Sequence, residues 1–422
     1  MHQIFAAGIF LITFFFIVSE KLHRTVAAVL GGVTLLLVKV IDQQDAVSFI
    51  DYTTIGVLIG MMIIISIIKR TGLFQYLAIK SAKIAKGDPK KLIIVFGIVT
   101  AVISALLDNV TTVLLMAPVT MVIAKMIKIN PIPFMMTEVI CSNIGGTATL
   151  IGDPPNIMIG SATGISFAAF LANLGPVIFI ILAVTVFLLQ FIYRRELAVA
   201  DELKEHVMTL DENSSIVDKG LLIKSLIILG IVVTGFFLHN FIGYESSVVA
   251  LAGAALLLLV SKADIEEILI EIEWSTIFFF AALFVLVGTL EEVGIIPALG
   301  KTLLNVTNGN LMITGLVILW GSAIISAFLD NIPFVAAMIP LIKTLGDISG
   351  MDIMPLWWAL SLGACLGGNG SLVGASANVV VAGMMAKEEH KITFGGFLKT
   401  GFPLMILSVA ISTVYLVLIY LR

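Results

Sequence analysis

Apolar residues in this chain gather into long blocks separated by short polar breaks, and the alternating pattern of a barrel is absent. The blocks predict helical spans near 4–19, 24–40 and 53–68. A polar stretch follows, then apolar runs 92–107 and 110–124 flanking Asp108-Asn109. Next comes a segment near 132–165, interrupted at Asn143-Ile144-Gly145-Gly146-Thr147 and at Gly152-Asp153-Pro154-Pro155-Asn156. A last span covers 174–193. The same order then recurs near 225–241, 245–261, 275–290, 310–328 with 332–345, 354–386 and 401–420.

The recurrence is literal. Leu107-Asp108-Asn109-Val110 returns as Leu329-Asp330-Asn331-Ile332, displaced by 222 residues. The same displacement, without a gap, carries Asp51-Tyr52-Thr53-Thr54-Ile55 onto Glu273-Trp274-Ser275-Thr276-Ile277. It also carries Gly72 onto Gly294, Pro118 onto Pro340, Gly145-Gly146 onto Gly367-Gly368 and Asn156 onto Asn378. One unit is written twice, and such a repeat decides the architecture. We divide the chain into a first repeat, 1–195, a polar linker, 196–222, and a second repeat, 223–422.

Composition changes the picture from helices to membrane helices. Hydrophobic residues make up 59% and charged residues 12%, with a mean hydropathy of +1.13. A soluble domain carries about 25% charged residues, so this chain cannot cover itself with polar surface. Pro154 to Tyr193 and Thr302 to Leu329 hold no Asp, Glu, Lys or Arg. The fold class expected is an all-α polytopic membrane protein, in the inner membrane if the cell is bacterial. The first segment reads as a span and not as a cleaved signal, because Met1-His2-Gln3 is not basic and residues 4–19 have a counterpart in copy two. Cys141 and Cys365 lie inside apolar segments and imply no disulfide framework.

Placement of basic residues gives the orientation. Lys69, Arg70, Lys80, Lys83, Lys86, Lys90 and Lys91 crowd one loop, which is expected to be cytoplasmic. The equivalent stretch, 291–313, has Glu291, Glu292 and only Lys301. Equivalent loops of opposite basic content belong on opposite sides. With 92–124 a re-entrant hairpin, each copy makes five crossings, and the odd number inverts the second copy. The acidic loop 262–273 runs against this trend, although acidic residues weigh little in the rule.

Two constellations carry chemistry. An ionisable residue at membrane depth is costly unless paired or wet, which makes Asp108 and Asp330 candidates, with Asn109, Thr111 and Asn331 beside them. The plainer reading is that Asp108 caps the helix at 110–124. The second constellation is the pair of broken helices. Glycines and Pro154-Pro155 interrupt the first, leaving backbone groups that are tolerated only inside protein or around a wet cavity. Carbonyls and side-chain oxygens at such breaks can hold a cation, while half-helix N-termini turn a positive end toward them. The candidates are Asn143, Gly146, Thr147, Asp153 and Asn156 in copy one, and Gly368, Asn369, Ser371 and Asn378 in copy two. Asp153 maps to Ala375, so the two copies offer unequal sites. Glu138, one turn before Ser142, is a candidate proton carrier or else a residue of the cytoplasmic vestibule.

The five histidines are scattered, without metal-ligand spacing, and we assign no metal. No Gly-x-x-x-x-Gly-Lys-[Ser/Thr] motif is present. Energy is therefore expected from an ion gradient or from a partner.

The Leu-Asp-Asn-Val-Thr-Thr string, followed by Asn-Ile-Gly-Gly-Thr-Ala-Thr-Leu-Ile-Gly-Asp-Pro-Pro-Asn, resembles the ion transporter superfamily over essentially the full length. Within it the likeness is to the branch of arsenite permeases, D-type sodium–proton antiporters and melanosomal P proteins, with a citrate-transporter-like domain. The resemblance implies two hairpins and two broken helices meeting at a substrate site, a homodimer, and elevator-type alternating access. It allows a separate ATPase partner. Members that couple sodium to dicarboxylate uptake carry Ser-Asn-Thr where this chain has Asp108-Asn109-Val110 and Asp330-Asn331-Ile332, which argues against that chemistry. The Gly-Asp-Pro-Pro-Asn string is not typical of the antiporters.

The function expected is secondary active transport, coupled to H+ or Na+, of a small oxyanion or arsenite-type solute, with arsenite efflux first. Alternatives of the same fold are sodium–proton exchange and anion or dicarboxylate transport. From other classes come a passive channel and an intramembrane aspartyl protease, the latter giving the second Asp-Asn pair no place. No enzyme activity, no organic cofactor and no nucleic-acid partner are expected; the partners are the lipid bilayer and a small inorganic or organic ion.

Overall fold

The computed structural model describes residues 2–19, 21–197 and 201–421, so residues 198–200 of the expected linker lie outside the described residues. Copy one folds as α1 (His2–Ser19), α2 (Arg24–Leu37), α3 (Gln43–Ser48), α4 (Tyr52–Lys69) and α5 (Leu73–Ile84). It continues as α6 (Pro89–Ser104), α7 (Asn109–Met126), α8 (Ile132–Thr147), α9 (Pro154–Thr163) and α10 (Phe167–Ile192). After α11 (Asp201–Met208) and a 3-10 turn (Glu212–Ser215), the series repeats. Copy two comprises α12 (Lys219–Ile242), α13 (Ser246–Ser261), α14 (Ile265–Ile270), α15 (Trp274–Glu292) and α16 (Ile295–Thr307). It ends with α17 (Leu311–Phe328), α18 (Asn331–Ser349), α19 (Met354–Gly367), α20 (Ser376–Lys387) and α21 (Phe394–Ile419). Among the described residues every regular element is helical, and nine helices are long and apolar enough to cross a membrane.

Polar residues fix the helix ends. Asp51 accepts from the Thr54 amide at 3.0 Å to start α4, and Asp88 precedes Pro89 at the start of α6. The sequence placed the last span of each copy too late. Both α10 and α21 begin seven residues earlier, at Phe167 and Phe394, because Ser166 and Thr393 cap them with side-chain bonds to the Ala169 and Gly396 amides. The polar stretches also hold short helices, α3, α5, α14 and α16, which are too amphipathic or too short to show in span-length windows.

The copies interlock. Helix α2 packs on α15, and α13 on α4. The second contact is close because Gly60 has no side chain: a Cβ there would lie 2.7 Å from the Ala250 carbonyl carbon. Small residues at such contacts let helix backbones approach, the usual means of packing in lipid. The equivalent helices α4 and α15 run antiparallel. Phe49, just before α4, meets Gly288 near the end of α15, while Leu58 and Met62 approach Thr276 near its start. That is the relation the inverted duplication demands.

Each hairpin locks onto its broken helix in the same way. Ser104 donates to the Ser142 carbonyl at 2.7 Å, and Ser326 to the Ala364 carbonyl at 2.6 Å. A Cβ on Gly145 would sit 2.1 Å from the Ala101 carbonyl oxygen, and one on Gly367 would sit 2.6 Å from that of Ala323.

The segment between the copies docks on α5. Lys83 and Lys80 pair with Glu212 at 2.5 and 3.2 Å, Lys83 also donates to the Leu210 carbonyl, and the Val217 amide bonds the Thr71 carbonyl. The hydrogen bond from Lys83, reinforced by Lys80, pushes the Glu212 carboxyl down to about 2.

Candidate functional site

The four N-termini of the hairpins and broken helices, those of α7, α9, α18 and α20, converge on one small cavity, where α2 and α15 also begin, at Arg24 and beside Glu273. Its wall includes Asn109 and Val110, Pro154, Asn331 and Ile332, and Ser376, each at or next to the first residue of its helix. Asp108, Asp153 and Glu273 supply carboxylates and Arg24 a guanidinium; Leu58, Met62 and Thr276 complete the lining. The cavity holds ≈ 40 Å³, room for a bare ion or a few waters and far below the ~300 Å³ at which pockets for larger organic ligands begin. Each N-terminus contributes roughly half a positive charge. Four of them explain how three carboxylates are accommodated at this depth.

The two Asp-Asn pairs sit at equivalent places and are used differently. Asp108 accepts from the Thr111 amide at 2.8 Å, the capping role that the plainer reading gave it. Asp330 likewise caps α18 through the Ile332 amide at 3.1 Å. It also holds an ion pair with Arg24 at 2.6 Å, and Ser376 donates to it at 3.3 Å. Among the described residues no ion pair forms at Asp108. Asp153 is buried, and Asn331 donates to it across the copies at 3.4 Å.

Beneath the cavity lies an asparagine network. Asn109 donates to Asn143 at 3.0 Å, and Asn143 donates to Asn369 at 2.9 Å and to Asn378 at 3.1 Å. Asn369 then reaches the Ile140 carbonyl at 3.2 Å. Three broken-helix asparagines and one hairpin-tip asparagine are thus joined without a charge.

Asn156 and Asn378 brace the breaks. The Asn156 amide donates to the Gly146, Thr147 and Thr149 carbonyls, and that of Asn378 to the Gly368 and Ser371 carbonyls, which are the matching positions. Their side-chain oxygens are also taken, by Ser361 at 2.6 Å for Asn156 and by Asn143 for Asn378. The sequence grouped both with the cavity oxygens; the structure sets them in the supports of the break. Gly146 and Gly368 lie where a Cβ would meet the Gly152 and Gly374 carbonyls at 2.5 and 3.2 Å. Thr147 donates to the Asn143 carbonyl at 2.7 Å, and the Ser371 hydroxyl accepts from the Val373 amide.

Glu138 stands apart. It is fully buried between α7 and α8, accepts from Thr120 at 2.5 Å, and its other carboxylate oxygen has no hydrogen-bond partner. Two charged cavity residues were not singled out from the sequence, Arg24 and Glu273. Glu273 had served only as a marker of the repeat, and Thr276 donates to it at 3.0 Å. Arg24 stands at a predicted span end, where a basic residue is unremarkable; its partner Asp330 is 306 residues away.

A helical membrane body with two hairpins, two broken helices and a charged cavity between them defines an integral, multi-pass membrane transporter. The family model for citrate transporters matches residues 14–363. The chain belongs to that family. It is 39% identical to the 46 kDa membrane protein of Mycobacterium leprae and 40% identical to an uncharacterized transporter of Mycobacterium tuberculosis, in each case over 99% of both chains. It is 35% identical to the human P protein over 95% of this chain and 58% of that one. The fold is similar to that of the Alcanivorax borkumensis YdaH transporter, with a TM-score of 0.55 at 15% identity, covering 92% and 88% of the two chains.

Proposed function

We propose that the protein is a secondary transporter in which a proton or sodium ion at the Asp108–Asp153 carboxylates drives a small hydroxylated solute, arsenite in the first instance. The observation that carries this reading is the cavity: three carboxylates and one guanidinium at the meeting of four helix N-termini. Its carboxylates oppose a polyanion such as citrate and suit a small cation or an uncharged hydrogen-bonding solute. Arsenous acid, the form of arsenite at neutral pH, is an uncharged triol. Asp108 and Asp330, at the hairpin tips, alternate between protonated and cation- or cargo-bound states, the cation at Asp330 being the Arg24 guanidinium at rest. Asn109, Asn331 and the network around Asn143 and Asn369 present amide groups to the solute. Alternating access moves hairpins and broken helices together against the scaffold of interlocked helices, in a homodimer.

The same cavity supports a second reading, sodium–proton exchange with no further solute, since carboxylates are what both ions bind. Proteoliposomes loaded with arsenite, a dicarboxylate, sodium or chloride under imposed pH gradients separate the two readings. Flux that ignores pH and sodium gradients overturns both in favour of a channel. Asp108→Asn abolishes coupled flux while leaving the protein folded; undiminished, still pH-dependent flux overturns the role of Asp108.

A further inference from the structure

Arg24 belongs to two cavities at once. It and Ser376 are shared between the small central cavity and a larger one of ≈ 400 Å³ lined by Phe14, Phe328, Pro333 and the Asp330 carboxylate. The guanidinium bonds Asp330 at 2.6 Å and Ser376 at 2.9 Å and lies 5.2 Å from the centre of the Phe279 ring. It is therefore held by a hairpin tip, a broken helix and a scaffold helix, and it forms the partition between the two spaces. The copies differ here in kind. The position equivalent to Arg24 in copy two is Ser246, and Asp108, equivalent to Asp330, has no basic partner among the described residues.

We propose that Arg24 is a resident cation: it fills at Asp330 the place that an exchangeable monovalent cation fills at Asp108, and its side chain is the gate between the two cavities. The inference builds on the cation-coupled reading above. A carboxylate at membrane depth is costly unless it is paired or wet, and the Arg24–Asp330 pair, its side chains 28% and 18% exposed, supplies that pairing at the rim of the cavity. In copy two the compensation is covalently part of the chain; in copy one it has to arrive from solution. A carrier built this way turns over with one fewer free ion than its two Asp-Asn pairs suggest. Arg24 must swing off Asp330 for a solute to pass between the cavities.

The test counts ions. Purified protein in nanodiscs is assayed for radioactive sodium bound per chain, and for proton uptake per chain in lightly buffered solution. Arg24→Ser, which gives copy one the residue found in copy two, Ser246, and Arg24→Gln each gain one bound monovalent cation over the unaltered protein. Arg24→Lys leaves the count unchanged, and adding Asp330→Asn to Arg24→Ser removes the gain. Equal counts in the unaltered protein and both neutral variants, all folded by size exclusion, overturn the proposal. So does a gain that survives Asp330→Asn. If the unaltered protein binds no ion but Arg24→Ser gains one through Asp330, the coupling reading falls and the resident cation stands. If only the unaltered count appears, the coupling reading stands and the resident cation falls.

Discussion

Asn143 donates a hydrogen bond to Asn378 at 3.1 Å, while at the equivalent contact of the other copy Cys365 offers Asn156 only a thiol, at 3.6 Å. One symmetric contact thus survives as an amide pair on one side and a weak one on the other. The amide side belongs to the network that reaches the cavity through Asn109.

Asn143 is the hub of that network. Asn143→Ala strands amide groups of the buried Asn109, Asn369 and Asn378, at about 1–3 kcal/mol for each group left unpaired. A lowered thermal midpoint of the purified protein, together with lost flux, is the expected outcome. Cys365→Ala, on the weak side, lowers the midpoint much less. Equal shifts in the two variants would contradict the hub.

Asp153→Ala installs the residue of copy two, Ala375. Its side-chain bonds are weak, a 3.4 Å contact from Asn331 and one from the Cys365 thiol, so the fold tolerates the change. Coupled flux in proteoliposomes falls at least tenfold, a barrier change of about 1.4 kcal/mol. Full activity would remove Asp153 from the coupling site.

Close approach of hairpin and broken helix leaves no room for a methyl group at Gly145, 2.1 Å from a backbone oxygen. Gly145→Ala costs on the order of 1–3 kcal/mol by overpacking, read as a drop in thermal midpoint and in folded yield. Gly8→Ala is the control, since nothing lies within 4 Å of its would-be Cβ.

The linker strap has a defined pH response. The Glu212 carboxyl lies at about 2 in the folded protein, below its value in an unfolded chain, through its hydrogen bonds with Lys83 and Lys80. Its stabilisation is complete above the ordinary glutamate pKa of about 4.3 and is lost as pH falls toward 2. Glu212→Gln removes it at neutral pH. Limited proteolysis between α10 and α12 should then run faster in the variant at pH 7, with the difference narrowing at acid pH; equal rates at pH 7 would show that the strap does not depend on the pair.

Much of the fold was legible because hydrophobic block length and a gapless repeat are local or nearly local signals. The tips at Asp108 and Asp330 fell where the sequence put them, as did the break before Pro154, but α8 runs unbroken through residues 143–147, where the sequence had placed a first interruption. The early start of α21 was missed because its first turn, Phe394-Gly395-Gly396, is weakly apolar, and that of α10 because Asn173 and Gly175 interrupt the apolar run that Phe167-Ala168-Ala169-Phe170 begins. Arg24 and Glu273 were missed for a different reason. A charged residue at a span end reads as interfacial, and only the three-dimensional pairing of Arg24 with Asp330 turns it inward. The same limit explains Asn156, whose bonds to the Thr147 and Thr149 carbonyls depend on how the break folds back.

Some contacts that join the copies come in matched pairs, Asn143 with Asn378 and Cys365 with Asn156, α2 with α15 and α13 with α4, while Arg24 with Asp330 and Asn331 with Asp153 have no counterpart. A surface that meets its own copy about a two-fold in this manner is an isologous interface. The molecule is thus organised like a two-fold pair of half-length subunits, with the join between them running over the surface of α5. Joining the subunits covalently freed each partner to change alone. A single-chain arginine facing only one of two sister aspartates is something that two identical half-length subunits could not have built.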